Sequence, residues 1–324
     1  MTSDKTCVDI AAVDTHADEL RITTRRDIDA LAASIRHLGL MHAPLLRRTK
    51  AGYTVICGFR RIEACRRLRM TSVPAHLVEA GISPLRCVEL AVADNALQRP
   101  LDELELARCF RLLHPFYPRP EALSRAGRRL GLPAGSAYIR KLLQLTAMPP
   151  QIQQAVARGD ISLAMVEALE KCEAPEAAAL AEIFIALRPS LNKQREILQL
   201  CREIAAREGT DVAALLQAPE LRSIIDDRDV DANRRVALLR TALRKRRMPA
   251  LTRALEQFEA QVGALALGKE LKLIPPAGFE GRVYRFELRF FSTADLRRQA
   301  DRLRDLSEHP VMSRILERRQ LDGD

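Results

Sequence analysis

The stretch VICGFRRIEACRRLRM, residues 55–70, frames the reading of the whole chain. Val55 to Cys57 has the make-up of a strand, one glycine follows, and Phe59 to Arg69 then sets Ile62, Cys65 and Leu68 at helical spacing. In a strand–glycine–helix sequence the backbone approaches a ligand closely, because a residue without Cβ leaves room and tolerates positive φ. Arg60 and Arg61 fall in the first helical turn, where unpaired amides and the helix dipole attract anions. The same dipole disfavours cations there, so two arginines need a reason, and a phosphate supplies one. The residues equally allow a solvated basic face on a helix packed through Ile62, Cys65 and Leu68.

Working outward, DIDALAASIRHLGL (27–40) spaces Ile28, Leu31, Ile35 and Leu38 as a helix stopping at Gly39. APLLRR and YTVIC are short apolar runs around the turn-like TKAG, and a further strand is expected from Pro74 to Val78. Residues 84–113 predict helix, interruption at Pro100, and helix again. The proline-rich HPFYPRP (114–120) marks a boundary, after which amphipathic helices continue to about Pro249. In GRVYRFELRFF (281–291), Tyr284, Phe286, Leu288 and Phe290 alternate with charged residues as in a half-buried strand. STADLRRQADRL follows, with a capping-box-like Ser292 and Asp295 and a stripe of Leu296, Ala300, Leu303 and Leu306. The expected fold is mixed and mostly α: a small α/β domain at 1–117, an all-helical domain at 118–249, and a small α+β domain at 250–324. The last is too small to bury a one-sided sheet well by itself, so pairing with a second copy is the natural solution.

Composition limits the function classes. The 324 residues hold 52 Lys+Arg against 42 Asp+Glu, a net charge of +10, which suggests a polyanionic partner such as nucleic acid. The seven cysteines are scattered singly, so neither a disulfide framework nor a zinc site is indicated, and reduced thiols in a cytoplasmic protein are expected. No apolar run approaches the length that spans a bilayer, MTSDKTCVDI lacks a signal-peptide core, and the six histidines share no metal-binding spacing.

Two further stretches bear chemistry. ADNALQR (93–99) puts the Asp94 carboxylate beside the Asn95 amide, a pair able to share a hydrated magnesium ion with nucleotide phosphates while Arg99 neutralises further charge. Polar residues at a helix break before Pro100 are the plainer alternative. LSRAGRRLGLPAGSAYIRKLLQL (123–145) fits a helix-turn-helix, with Ser136, Tyr138, Arg140 and Lys141 outside an Ile139, Leu142 and Leu143 core. Arg128 and Arg129 on the preceding helix would face a phosphate backbone. An ordinary helical hairpin competes with this reading. The run ANRRVALLRTALRKRRMP (232–249) holds seven basic residues and no acid, and suits a non-specific DNA clamp or a solvated helix.

Together these pieces resemble the ParB family of bacterial chromosome and plasmid partition proteins. Gly58, Arg60, Arg61 and Ala64 fall on the family's glycine–glutamate–arginine–arginine box, which binds the triphosphate of CTP. ADNALQRPLDELELA is similar to the next motif, usually Glu-Asn-Leu-Gln-Arg, with Asn95 on the magnesium-binding asparagine and Asp94 on the glutamate used in hydrolysis. The helix-turn-helix falls where the family reads its partition site, and YRFELRFFSTADLRRQADRLRDL is similar to its dimerisation segment. The resemblance implies a homodimeric partition protein on double-stranded DNA, closing as a CTP- and Mg2+-dependent clamp, nucleoid-associated in the cytoplasm. A weak CTPase activity and a ParA-type ATPase partner belong to the same expectation. The sequence departs from the family pattern at Phe59 (glutamate in the box), at Glu63 (a later arginine) and at His42 (glutamine). Ala96 is an added residue that shifts Gln98 and Arg99 by one. These departures keep open a DNA-binding regulator with a degenerate pocket and, more distantly, a small-molecule kinase or a sulfiredoxin-like enzyme built on Cys57.

Overall fold

In the computed structural model, residues 5–15 and 17–317 are described, and the chain divides between Arg195 and Glu196 into two compact units. The first begins with β1 (Lys5–Asp9), β2 (Val13–Asp14), α1 (Asp29–Leu38), β3 (Leu45–Thr49), β4 (Gly52–Cys57), α2 (Phe59–Arg67) and β5 (Ser72–Val78). The five strands form one sheet in the order β1-β5-β3-β4-β2. β1 runs antiparallel to β5 and β3 to β4, whereas β3 is parallel to β5 and β2 to β4. Ile35 from α1 and Ile62 and Cys65 from α2 share one apolar core with Val8, Leu46, Val55 and Val73 of the sheet. The expected stripe on α2 therefore packs inward, which fixes where its arginines emerge.

Helices continue the unit: α3 (Pro84–Ala96), α4 (Glu103–Leu113), α5 (Pro120–Arg129), α6 (Ser136–Ala147), α7 (Pro150–Ala157), α8 (Val166–Glu170), α9 (Ala174–Leu187) and α10 (Leu191–Glu208), the last running past the division. Asp102 caps α4 in a reciprocal capping box with Glu105, satisfying amides that the helix leaves unpaired. The stretch 123–145 folds into two helices, α5 and α6, whose connection holds Gly131 at φ +78. Ile139 and Leu142 are buried as anticipated, whereas Leu143 is only half-buried. Gly127 lies against Phe110 of α4, where an added Cβ would come within 2.8 Å of the ring.

The second unit adds α11 (Val212–Leu216), α12 (Pro219–Ile225), α13 (Ala232–Arg247), α14 (Pro249–Ala264), β6 (Leu271–Ile274), β7 (Arg285–Leu288), α15 (Thr293–Ser307) and α16 (Pro310–Leu316). β6 and β7 pair antiparallel, with Leu273 opposite Phe286 and Leu271 opposite Leu288. Their apolar face packs with Phe258, Phe279, Leu306 and Ile315. The alternation read from the sequence is observed, since Phe286 and Leu288 are half-buried while Arg285 and Glu287 are exposed. The stripe on α15 is only half covered. Leu306 is buried, but Leu296 is 41% exposed, and Val283, Phe290 and Phe291 are 80%, 51% and 91% exposed.

The basic run on α13 is largely solvent-exposed, as the solvated-helix reading expects, but most of its cations are ion-paired. Arg240 and Arg244 pair with Glu196, Lys245 with Glu256, Arg246 with Glu208 and Glu220, and Arg247 with Glu203. Arg246→Glu should lower the stability of this unit by about 1–2 kcal/mol in urea unfolding, as two ion pairs become repulsions. The salt dependence of DNA binding should not change with it. A shallower salt slope in the variant would return the run to the DNA-contacting surface.

Candidate functional site

The site begins at the join of β4 and α2. Gly58 caps α2 in the left-handed region (φ +92, ψ +28), and no side chain bonds the helix end, so its first amides stay available to an external acceptor. Any Cβ at Gly58 would lie 3.0–3.1 Å from Pro44, so backbone angle and space both require glycine. Gly58, Arg60, Arg61, Asp94, Asn95 and Arg99, drawn from α2, α3 and the segment after it, line one open cleft. All the residues read from two separate stretches as a nucleotide site are therefore brought together.

Their bonding differs. Arg60 donates from Nη2 to the Asp27 carbonyl at 2.5 Å, while its buried Nε has no hydrogen-bond partner among the described residues. Arg61 donates from Nη1 to the Ala43 carbonyl at 3.2 Å and holds Nη2 3.9 Å from Asp94 Oδ2. The other Asp94 oxygen accepts from Gln98 at 2.7 Å. Asn95 spends its amide nitrogen on the Ala91 carbonyl at 2.8 Å, which leaves the amide oxygen to offer. No cluster of three or more His, Cys, Asp or Glu suited to a metal occurs among the described residues. Asp94 and Asn95 nonetheless fit a magnesium ion, which keeps most of its water and takes one or two protein oxygens alongside ligand phosphates.

Arg99 reaches the cleft with its charge already matched. Its two terminal nitrogens each lie 2.6 Å from a Glu105 oxygen, and Nη2 also lies 3.4 Å from Thr23 Oγ1. Glu105 is fully buried, and burial alone would raise its pKa. The two bonds from Arg99, with backbone N–H bonds from Thr24 and Asp102, outweigh that and bring the carboxyl down to about 2. Thr24 Oγ1 donates to Asp102 at 2.6 Å, and Arg108 donates to the Ile22 and Thr23 carbonyls at 3.1 and 3.0 Å. This clasp builds the cleft wall that carries Ile22 and Thr23. It was missed in the sequence, although the capping-box spacing of Asp102 and Glu105 was there to be seen.

The departures at Phe59 and Glu63 form a cluster of their own. Phe59 is 5% exposed, the Arg21 guanidinium lies 5.7 Å from its ring centre, and Arg21 donates to both Glu63 oxygens at 2.5 and 3.0 Å. Cys57 is buried and donates to the Leu90 carbonyl at 3.6 Å. Burial, then the nearby Asp94 charge, pushes its thiol far above the ordinary range, the opposite of what a nucleophilic thiolate needs.

On α5 and α6, Arg128, Arg129, Ser136 and Arg140 are exposed and Lys141 is half-exposed. Arg129 also donates to the Tyr117 hydroxyl at 3.2 Å. Tyr138 differs, because its hydroxyl donates to Glu103 Oε2 at 2.6 Å. Burial first, and then this bond, raise its pKa and keep the hydroxyl protonated.

Residues 5–96 match the family model described as the ParB N-terminal domain. The chain is 26% identical over 200 residues to the chromosome-partitioning protein ParB of Myxococcus xanthus, covering 61% of this chain and 64% of that one. It spans about half to two thirds of the length of the curated relatives it matches. Among solved structures, a C-terminally truncated ParB from Caulobacter crescentus complexed with CTP-gamma-S aligns at 23% identity and a TM-score of 0.27, covering 56% of this chain and 99% of that one. The Caulobacter crescentus protein complexed to the centromeric parS site aligns at 20% identity and a TM-score of 0.36, covering 60% and 98%. No helix among the described residues is long and apolar enough to cross a membrane.

Proposed function

We propose that this chain, whose residues 5–96 match the ParB N-terminal domain, is a ParB-family protein that binds a nucleoside triphosphate, CTP with Mg2+, in the α2–α3 cleft and double-stranded DNA through α5 and α6. The observation that carries this reading is the cleft itself. Two arginines on an uncapped helix start behind Gly58 face an acid and an amide oxygen supplied by α3. Arg60 and Arg61 would hold phosphate oxygens, with the first amides of α2 adding uncharged donors. The unpartnered Arg60 Nε is a donor that a reordered, ligand-bound side chain could satisfy. Asn95 and Asp94 would hold the metal, which would supply charge neutralisation at the phosphates, and Asp94 would orient a water for slow turnover.

On the DNA side, Arg128 and Arg129 would contact backbone phosphates, while Ser136, Arg140 and Lys141 lie on the exposed side of α6. Tyr138 would enter that surface only in part, because Glu103 holds its hydroxyl. The uncovered apolar residues around β7 and the start of α15 suit a second copy of the chain, so the working assembly is a homodimer. The reading keeps three functional parts, 1–117, 118–249 and 250–324. It places the protein on the nucleoid in the cytoplasm, serving partition of a replicon with a ParA-type ATPase. The regulator reading differs at one point, a cleft that binds no nucleotide, and the buried Phe59 favours it.

The test is binding of labelled CTP, ATP and GTP with Mg2+, beside binding of a DNA pool selected from random duplexes. Selective CTP binding together with enrichment of one duplex sequence is expected. Arg140→Ala should weaken the selected duplex about tenfold and leave CTP affinity unchanged, as the loss of one charged contact to DNA would. Sequence-specific DNA binding with no nucleotide bound would establish the regulator instead.

A further inference from the structure

Strand β6 has β7 on one side and no strand on the other. Their pairing sets Leu271 opposite Leu288, and one residue beyond that pair the Arg289 amide donates to the Glu270 carbonyl at 2.8 Å. Bonded and non-bonded pairs alternate along an antiparallel ladder, so Glu270, Lys272 and Ile274 turn their amides and carbonyls toward β7, and Leu271 and Leu273 turn theirs away from it. None of these outward amides and carbonyls finds a protein partner among the described residues. An edge of this kind is a template for another strand. Here it borders a groove of about 910 Å³ shared with Leu255, Phe258 and Val262 of α14. All four residues of β6 line that groove although their side chains alternate between the two faces, so the groove follows the edge of the strand rather than one face of the sheet.

We propose that the groove between α14 and β6 binds an extended peptide from another protein, added to β6 as a third strand, with apolar residues at every second position and acids between them. Residues opposite one another on a ladder point to the same face. Peptide residues opposite Leu271 and Leu273 would therefore exchange backbone bonds with them and set their side chains against Phe258 and Val262, which demands apolar groups. The residue between them would lie beside Lys272 on the outer face. Lys269 and Lys272 line the groove against one acid, Glu259, and neither lysine has an ion-pair partner among the described residues, which favours acids there. Main-chain bonds would supply affinity and the alternating pattern specificity. A second copy of β6 suits the edge less well, because two-fold pairing would gather Lys269 and Lys272 of both chains on one short ladder. This surface is distinct from the apolar residues around Phe290, Phe291 and Leu296, and its occupation does not depend on the nucleotide cleft.

Fluorescence anisotropy of the full chain with labelled synthetic peptides tests this, the probes alternating glutamate with valine, leucine or phenylalanine. At least one of the three should bind. Replacing its glutamates by lysine should weaken it at least about tenfold, and so should N-methylation of its apolar residues, which removes the amides that would bond to β6 and keeps every side chain. Gly263→Leu puts a side chain into the groove where no atom lies within 4 Å of the new Cβ, and replaces glycine on α14 by a better helix former, so the fold is kept. It should weaken the peptide at least about tenfold, and Lys272→Glu should reverse the preference between acidic and basic probes. Failure of all three probes, or binding indifferent to N-methylation or to Gly263→Leu, overturns the proposal. Sedimentation velocity supplies the remaining arm. The same mass for the wild type and Gly263→Leu is expected, and a smaller mass in the variant would assign the groove to a second copy and overturn the peptide.

Discussion

Glu105→Gln should lower the unfolding free energy in urea by about 3 kcal/mol, the lower end of the cost of breaking a buried ion pair, since Arg99 is 24% exposed. The substitution keeps the side-chain shape but removes the charge that Arg99 and the amides of Thr24 and Asp102 gather around. Acid provides an independent check. The folded carboxyl titrates at about 2 against an ordinary 4.5, so its contribution is complete above pH 4.5 and is lost as pH falls toward 2. The wild type should therefore lose stability over that window more steeply than the variant. Parallel acid profiles, or a variant as stable as the wild type, would mean that the clasp carries no load.

Replacing Arg60 and Arg61 together with alanine should reduce CTP affinity at least about a hundredfold, because two charge-assisted contacts at roughly 1.5–3 kcal/mol each are removed. The affinity series should flatten as well. In the wild type CTP, CDP and CMP should bind in falling order, and in the double variant the three should converge, because the groups that count phosphates are gone. Circular dichroism guards against misfolding, which is not expected, since α2 packs through Ile62, Ala64 and Cys65 on its other face. A double variant that keeps both affinity and order would remove the two arginines from the site.

The frame of the N-terminal domain was legible because β4, Gly58 and α2 follow local rules: an apolar run, one glycine, then a 3.6-residue stripe. β1 and β2 were not read. KTCVD mixes charge with apolar residues and becomes a strand only by pairing with β5, and β2 is two residues long beside β4. Helices α11, α12 and α16, of five to seven residues, are too short to show a period. The cleft residues were found through their chemistry, but the role of Glu105 was not, because its amphipathic helix gives a carboxylate no reason to be buried until Thr24 and Arg99 are brought to it. The run on α13 was read without its partners because Glu196, Glu208 and Glu220 stand 26 to 48 positions from the arginines they meet. No local pattern carries that pairing.

The contact between Gly127 and Phe110 has a consequence for descent. The ring occupies the space where a Cβ would stand, so the volume at the two positions is a shared quantity divided entirely in favour of position 110. Neither residue can drift alone. A lineage that gains a methyl group at 127 must first shrink the ring at 110, and one that shrinks the ring first opens a cavity beneath α5 and is left less stable until 127 grows. In chains descended from this one, the two positions should change as a pair, and the angle at which α5 crosses α4 should pass down with whichever member is larger.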